Sequence, residues 1–452
     1  MIHEPQAAAE ALRSLISTAS VDVLCARYSP DVSLVAYLAG ETLHAEGRDA
    51  VCAAIASWHP RGAPIMSWDA RAYPDEAGLV AGLEIDVEWR PAERDGPLRR
   101  RHYMHLDERG RVHRHIAFAA RPPRRSPPAG EPGPALQALR HADATCEPVG
   151  GGYSGAFLER ITPDFGPPVV VKYLAPHSAW QARATDDSGR EARLYLDGMM
   201  DQLPRTLSHA VLAAEPYGQG WAVITRDLRG QLMPHPAGRP SLRGYLAALH
   251  DLHLAVPDVP ASTPLATVAQ RWGLWWPGTI GQEYENCDAQ PKQIARGWDV
   301  LPQVVPADVV SVVTQIAADP GPVAAAVAEY GHGLLHGDAH LGNVAAAPAG
   351  FTLLDWGLAT AGPPAVEAAW LANFAQQYTC GVDDMLSDVA DIWHLPRQHR
   401  SLNLALLGQA SSVIPALASP AVDYPDPAHR RRTAAKVDWW VAAVRSAAHL
   451  LP

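Results

Sequence analysis

Two short apolar runs, each leading into a turn rich in polar residues, constrain this sequence more than any other feature. The first occupies residues 334–344 and reads LLHGDAHLGNV, and the second occupies residues 353–357 and reads LLDWG. We expect each apolar run to be a short buried strand that delivers polar side chains to the turn after it. The side chains delivered in this way are Asp338, Asn343 and Asp355.

The spacing of these three side chains indicates a chemistry. Asn343 follows Asp338 by five positions, and Asp355 follows Asn343 by twelve. Phosphoryl transfer needs oxygen ligands for Mg²⁺ and a carboxylate that orients the attacking hydroxyl. Protein kinases space H-R-D-x-x-x-x-N and D-F-G in a similar way. Turn-forming residues after a buried strand explain one such cluster, but they explain two clusters in this register poorly.

The form H-G-D-x-H-x-x-N followed by L-D-W-G resembles the aminoglycoside phosphotransferase and choline kinase branch of the kinase-like superfamily. The resemblance implies that Asp338 is the catalytic base and that Asn343 and Asp355 bind the metal. It also implies ATP and Mg²⁺ as cofactors, and it makes His336 a structural residue that braces the loop.

The glycine-rich stretch upstream fits the same resemblance. It carries Gly150, Gly152, Ser154 and Gly155. A G-x-G-x-x-G string also fits a Rossmann turn, but that fold wants an acidic residue about 20 positions later. This chain has an apolar strand there, residues 169–172, which ends at Lys172. We therefore predict a glycine loop over the ATP phosphates, followed by the strand that carries the phosphate-binding lysine.

Lys172 is one of only three lysines in the chain, and every other cation of this kind is arginine. A compact ammonium suits a phosphate contact, although a solvent-facing strand end fits the same residue. Glu191 opens a helical run and is the predicted ion-pair partner of Lys172; an acid favoured by the helix dipole is its alternative. Residues 225–228, with Arg226 and Leu228, fall where the adenine-binding hinge belongs.

The sequence after the second polar turn departs from the family pattern in one place. The family usually has G-D-P and a second acid after the metal-binding aspartate, where this chain has Pro363 and then Glu367. That departure puts the network that braces the catalytic loop in question. An insert rich in tryptophan and acids, residues 272–288, lies where the family builds substrate-binding helices. Acids with aromatics suit a cationic, sugar-like acceptor, and a solvated acidic loop beside core tryptophans fits the same residues.

The first 120 residues have a different pattern. Helices are predicted near residues 7–15 and 48–58, with a strand at 32–37 between them. Residues 83–90 then alternate strictly between apolar and charged, as in a half-buried antiparallel strand whose acids pair with Arg99 and Arg101 on the return strand. Helices followed by a curved meander resemble the ketosteroid isomerase and nuclear transport factor cone fold, also called SnoaL-like. Such cones often dimerise through the sheet, so a homodimer is one open arrangement.

Composition excludes some functions and favours a compartment. The 452 residues are 48% hydrophobic and carry a formal net charge of −11, which argues against a nucleic-acid partner. Five scattered cysteines without a C-x-x-C pair indicate free thiols in a reducing compartment. No leader pattern is visible, and no apolar run reaches the ~18 residues of a membrane span. We expect a cytoplasmic protein without a membrane partner.

Together these patterns predict an α+β chain with a cone-shaped domain followed by a bilobal protein-kinase-like phosphotransferase. The predicted boundaries are 1–120 for the cone, 121–134 for a Pro-rich linker, 135–228 for the small β-rich lobe and 229–452 for the large helical lobe. The predicted activity is ATP-dependent phosphorylation of a hydroxyl on a small molecule. The acceptor is open between an antibiotic, a natural-product intermediate and a metabolic sugar or amino alcohol. In a rival reading the cone binds ligand or isomerises it, and the kinase part regulates.

Overall fold

The computed structural model describes most of the chain. The described residues are 10, 12–14, 21–38, 42–58, 64–90, 98–120, 127–140, 144–149, 156–164, 166–175, 180–281 and 289–451. They form two compact units. The first unit comprises residues 1–122, 277–310 and 414–441, and the second comprises 123–276, 311–413 and 442–452. Each unit is therefore built from segments that are distant in sequence, whereas the predicted domain boundaries are continuous and stay a prediction.

The strands are numbered in chain order. They are β1 Tyr28–Tyr37, β2 Thr42–Glu46, β3 Ile65–Pro74, β4 Val80–Trp89, β5 Leu98–Leu106, β6 Val112–Ala120, β7 Thr145–Val149, β8 Phe157–Thr162, β9 Val169–Leu174, β10 Leu207–His209, β11 Val211–Tyr217, β12 Gly220–Arg226, β13 Gly333–Leu335, β14 Val344–Ala347, β15 Gly350–Leu353 and β16 Thr360–Gly362. The strands predicted at 32–37, 83–90 and 169–172 are confirmed as parts of β1, β4 and β9.

The α-helices are numbered in the same way. They are α1 Val21–Cys25, α2 Arg48–Trp58, α3 Pro134–Leu139, α4 Trp180–Ala184, α5 Arg190–Leu196, α6 Arg239–Ala255, α7 Val268–Gly273, α8 Pro277–Ile280, α9 Ala289–Val304, α10 Ala307–Ala318, α11 Gly321–Ala328, α12 Pro364–Asn373, α13 Val382–Trp393, α14 Arg400–Asp423 and α15 Pro427–Ala447. The helix predicted at 48–58 is confirmed as α2, whereas most of the stretch at 7–15 lies outside the described residues.

The first unit is organised by a six-stranded sheet with the strand order β2-β1-β6-β5-β4-β3. β1 and β6 are parallel and the other neighbours are antiparallel. Alternate residues of β4 point into an apolar core that also contains residues of α2. The predicted ion pairs across the ladder form between Asp86 and the guanidinium groups of Arg99 and Arg101, at 3.2 and 2.9 Å.

The opposite face of this sheet is also buried, so the prediction of a solvated, half-buried strand is wrong for β4. Glu84 and Glu88 are each only 7% exposed. Segments of the first unit from the C-terminal half of the chain cover this face: Tyr37 on β1 donates to Asp299 of α9 at 2.5 Å, and Tyr424 packs against Tyr103 of β5. Local alternation identifies two faces but does not show what covers each of them.

The prediction of free thiols is wrong for two of the cysteines. Cys25 at the end of α1 and Cys52 in α2 are joined by a disulfide in the first unit. Cys146 and Cys380 are free, and Cys287 lies outside the described residues. The pairing was invisible in the sequence because the two residues are 27 positions apart and meet only when the helices pack.

The second unit holds the remaining sheets. A five-stranded antiparallel sheet has the order β11-β12-β9-β8-β7, and a three-stranded sheet has the order β10-β15-β14. β13 and β16 pair separately, which brings residues 333–335 beside residues 360–362. The two polar turns of the sequence follow β13 and β15, and the strand carrying Lys172 lies in the five-stranded sheet.

Within the described ranges, α14 is the one helix that is long and apolar enough to cross a membrane, and 72% of its apolar window is buried inside the protein. Core helices pass the same test. α10 and α11 together pass it only if they count as one span despite a bend of 80°.

Candidate active site

The first polar turn places Asp338 and Asn343 side by side. The backbone leaves β13 at Leu335 and ends the turn in a short 3₁₀ helix, Leu341–Asn343. The Asn343 amide donates through Nδ2 to the Asp338 backbone oxygen at 3.0 Å and to its carboxylate Oδ2 at 2.9 Å. Burial, reinforced by the nearby charge of Asp355, raises the pKa of Asp338 above its ordinary value. A carboxylate with a raised pKa is a better proton acceptor.

His336 joins the first turn to the second. Its Nε2 lies 3.0 Å from the backbone oxygen of Leu354, and its Nδ1 accepts from the backbone N–H of Asp338 at 3.2 Å. These partners assign the proton to Nε2. Burial lowers the pKa of His336, which keeps the ring neutral. The predicted bracing role of His336 therefore has a geometric basis: the ring ties the residue before Asp355 to the backbone of Asp338.

The second polar turn presents Asp355 in the left-handed region, at φ 60° and ψ 73°. Non-glycine residues rarely adopt this conformation, and such residues concentrate at functional sites. The Lys172 ammonium lies 2.5 Å from Oδ1 of Asp355 and 3.0 Å from Oε2 of Glu191. The predicted ion pair between Lys172 and Glu191 is therefore present, and Asp355 shares the same cation.

The ammonium group of Lys172 and the carboxylate of Asp355 stabilise each other's charged form. Burial lowers the pKa of Lys172, but the carboxylates of Asp355 and Glu191 outweigh burial and raise it above the ordinary value. Burial raises the pKa of Asp355, but Lys172 outweighs it and the net pKa is lowered. Lys172 and Asp355 are therefore charged at neutral pH, whereas burial, reinforced by the charge of Asp355, raises the pKa of Glu191 above its ordinary value despite its bond to Lys172. The Glu191 side chain is 3% exposed, whereas that of Asp355 is 42% exposed and open to a ligand.

Glu367 holds the backbone of the first turn, which answers the question that the departure from the family pattern raised about the bracing of this loop. This residue of α12 is fully buried, and its two oxygens accept from the backbone N–H groups of His336 and Gly337 at 3.1 and 2.9 Å. His253 lies 3.6 Å from the same carboxylate. A longer acid in place of the family's second aspartate thus reaches the loop backbone directly.

The donor set fits a divalent cation that is shared with phosphate. Because Nδ2 of Asn343 is occupied by Asp338, its amide oxygen is the atom left for a metal, and Asp355 offers a carboxylate. Among the described residues no cluster of three or more histidines, cysteines, aspartates or glutamates could hold a metal by itself. Mg²⁺ commonly takes one or two protein oxygens and completes its shell with phosphates and water.

The other predicted nucleotide contacts are located only in part. The glycine loop, with Gly150, Gly152, Ser154 and Gly155, lies outside the described residues. Arg226 ends β12 and donates to the backbone oxygen of His209 at 2.9 Å, and Leu228 is 4% exposed in a small apolar cluster. The role of these two residues in a nucleotide-binding hinge stays a prediction.

Two buried arginines near the site were missed by reasoning from the sequence. Arg190 precedes Glu191 on α5 and donates to the backbone oxygen of Gly357. Arg271 on α7 donates to the backbone oxygen of Gly337 at 2.5 Å. Neither belongs to a motif, and arginine is the common cation of this chain, so only their burial, at 3% and 5% exposure, separates them from surface residues.

A family model described as the phosphotransferase enzyme family matches residues 145–398. The match includes both polar turns, Lys172 and Glu191, and it begins after the first 120 residues. A comparison with curated proteins finds no match. The resemblance of the N-terminal residues to the cone fold stays a prediction.

Several solved structures are similar at low identity. A spectinomycin phosphotransferase in complex with ADP and spectinomycin is 11% identical, over 67% of this chain and 93% of that one, with a TM-score of 0.41. A macrolide 2′-phosphotransferase from Brachybacterium faecium is 16% identical over 67% and 98%, with a TM-score of 0.37. A choline kinase from Streptococcus pneumoniae is 11% identical over 68% and 97%, with a TM-score of 0.40.

Proposed function

The chain belongs to the phosphotransferase enzyme family, and on that premise we propose that it transfers the γ-phosphoryl group of ATP to a hydroxyl of a small molecule. The observation that carries the proposal is the triad of Lys172, Glu191 and Asp355, whose members come from three separate elements of the second unit and meet within 3.0 Å. Asp338 and Asn343 adjoin it through His336, which contacts the residue before Asp355.

In the proposed mechanism Asp338 is the catalytic base. Its carboxylate accepts the proton of the attacking hydroxyl while that oxygen forms a bond to the γ-phosphorus. The bond from the γ-phosphorus to the bridging oxygen breaks, and ADP leaves with the electron pair. The raised pKa of Asp338 favours proton acceptance. The bond from Asn343 fixes the carboxylate in one orientation, and this positioning supplies much of the acceleration.

The remaining residues hold the nucleotide. Asn343 and Asp355 would bind Mg²⁺, which neutralises phosphate charge when bound. Lys172 would contact the phosphates as a point charge, and Glu191 holds its ammonium in place. The glycine loop and the hinge at Arg226 and Leu228 remain proposed nucleotide contacts. We retain the cytoplasm, where ATP is available, as the proposed compartment, with no nucleic-acid or membrane partner. The Cys25–Cys52 disulfide removes the part of that prediction that rested on free thiols.

The acceptor class follows from the family resemblance. We propose an aminoglycoside, another antibiotic or a natural-product intermediate, which would give the protein a role in resistance or self-protection. A metabolic sugar or amino alcohol is the alternative. In the predicted acceptor insert Trp272 is a core residue at 1% exposure, and the acids at 283, 285 and 288 lie outside the described residues.

In the rival function the N-terminal cone binds or isomerises a ligand. The buried polar residues of the first unit do not favour this function. Tyr28, His115 and His102 are buried and bond to one another, at 2.8 and 2.9 Å. Mutual hydrogen bonding accounts for these groups as core residues. Homodimerisation through the first unit stays a proposal, and it would need a surface other than the sheet face that the chain itself covers.

The test is direct. The full chain is incubated with Mg-ATP and a panel of aminoglycosides, macrolides, nucleosides, amino sugars and amino alcohols, and products are detected by mass spectrometry. We expect a phosphate-sized gain on one compound class with the wild type and none with Asp338→Asn, which keeps the shape of the side chain but cannot accept the proton. Equal product from the variant would refute the assigned base.

A further inference from the structure

We propose that Arg190 and Arg271 are positioning residues of this site, and that each fixes a glycine carbonyl in one of the two polar turns. The proposal rests on the phosphotransferase function proposed above. Neither residue lies in a motif, and both lie in the second unit. Their distinguishing property is that buried guanidinium groups reach backbone oxygens next to Asp338 and Asp355.

Arg271 and Glu367 bind the two backbone polar groups of Gly337. The backbone oxygen of Gly337 accepts from Nη2 of Arg271 at 2.5 Å, while the N–H of Gly337 donates to Oε1 of Glu367 at 2.9 Å. The guanidinium carbon lies 5.2 Å from the ring centroid of Trp370, on the same helix as Glu367. The residue immediately before Asp338 is thus held on both sides, which fixes the direction in which the Asp338 side chain leaves the loop.

Gly337 shows how tightly this peptide must be placed. It adopts φ 81°, and a Cβ on it would lie 1.9 Å from the backbone oxygen of Leu358, which belongs to the turn after Asp355. The two turns approach each other so closely at this point that only glycine fits. A small shift of the Gly337 backbone would therefore displace both Asp338 and Asp355.

Arg190 holds the second turn in the same manner. It donates to the backbone oxygen of Gly357, two residues after Asp355, and to those of Pro264 and Thr185, at 3.1 and 3.0 Å. A guanidinium group has five donors in a planar fork, so one side chain can join three backbone segments. Because Arg190 adjoins Glu191, these hydrogen bonds also fix the helix that carries the partner of Lys172.

A short segment of chain connects the two arginines. Arg190 contacts Pro264 at its beginning, the N–H of Ala266 donates to Ala359 at 2.9 Å, and Thr267 caps the helix that carries Arg271. The segment 264–271 therefore runs from the lysine–glutamate pair past the second turn to the first. Its packing gives Arg271 a fixed origin, which a positioning role requires, and it gives Arg190 a fixed backbone acceptor at Pro264.

The two positions predict different kinetic losses. The assay is the release of ADP when Mg-ATP is hydrolysed with water as the acceptor. We expect Arg271→Met to lower kcat by about 10- to 100-fold with little change in KM for ATP, because a displaced base affects the chemical step. We expect Arg190→Met to raise KM for Mg-ATP by about 10-fold, because the triad that holds the nucleotide loosens. Lysine at either position supplies fewer donors and should restore only part of each loss.

The matched control is Arg140→Met. Arg140 is a half-buried arginine of the second unit that donates to Glu159 and Tyr173, at 2.5 and 2.6 Å, away from both turns. The Arg140→Met variant should be less stable than the wild type, but its kcat and its KM for Mg-ATP should not change specifically. Where a methionine variant is insoluble, the lysine variant at the same position is measured in its place.

Hydrogen exchange provides a readout that is independent of activity. Arg271→Met should speed exchange of amides in residues 336–343, and Arg190→Met those in 355–359, with the sheet strands unchanged. Exchange or kinetics indistinguishable from Arg140→Met would overturn the positioning role. Local exchange changes in a protein whose wild type neither releases ADP nor phosphorylates any acceptor of the panel would support the positioning role and count against the phosphotransferase proposal.

Discussion

Replacing Glu367 with glutamine tests whether this acid holds the catalytic loop. The carboxylate accepts from the backbone N–H groups of His336 and Gly337 at 3.1 and 2.9 Å. Glutamine has nearly the same shape but presents an NH₂ group to one of these donors. One charge-assisted bond at about 1.5–3 kcal/mol is lost, and a buried N–H is left unpaired, so we expect roughly 3 kcal/mol of destabilisation.

The pH dependence gives the prediction a sign. Burial alone would raise the pKa of Glu367, but His253 and the loop backbone outweigh it and hold the pKa below its ordinary value. A carboxylate whose pKa is lower in the folded than in the unfolded state stabilises the fold above the unfolded pKa, about 4.3. That contribution is lost as the pH falls through the folded pKa. The stability gap between wild type and Glu367→Gln should therefore be full at pH 7 and shrink below pH about 4.3.

The matched control is Glu215→Gln. Glu215 is 8% exposed and accepts from two consecutive backbone N–H groups, those of Ala135 and Leu136, at 3.0 Å each, far from the turns. Urea unfolding and ADP release are measured for the wild type and both variants. Both variants should be less stable, but only Glu367→Gln should lose at least about 10-fold in kcat. Equal loss of kcat in the two variants, or full stability of Glu367→Gln at pH 7, would refute the reasoning.

Three further predictions concern single positions. Gly337→Ala should cost more than about 3 kcal/mol, since it combines a left-handed φ with a clash against Leu358; normal thermal unfolding of this variant would contradict the model of the loop. Lys172→Met should abolish ADP release and destabilise by roughly 1–3 kcal/mol, because Glu191 is left buried without its cation, and adding Glu191→Gln should recover stability but not activity. Asp423→Asn should lower the calorimetric unfolding temperature of the first unit, where this fully buried carboxylate binds two arginines; an unchanged transition would count against the packing of the covered sheet face.

The sequence by itself determined the local parts of this protein. Turn chemistry and apolar runs located Asp338, Asn343 and Asp355, an apolar run located β9, and period-two alternation located β4. These features depend on neighbours within a few residues, so a linear reading captures them. The spacing of the two turns also pointed to the family that the chain matches.

Only the tertiary structure decided which distant residues meet. Lys172 and Asp355 are 183 positions apart, Arg271 and Gly337 are 66 apart, and the charged face of β4 is covered by segments from the other end of the chain. A pattern shows that a residue has a buried face or a charge, but the partner is chosen by packing and by the need to pair every buried polar group. Partner choice is a property of the whole fold, and for that reason the arginines, the disulfide and the backbone N–H groups that Glu367 binds became visible only in three dimensions.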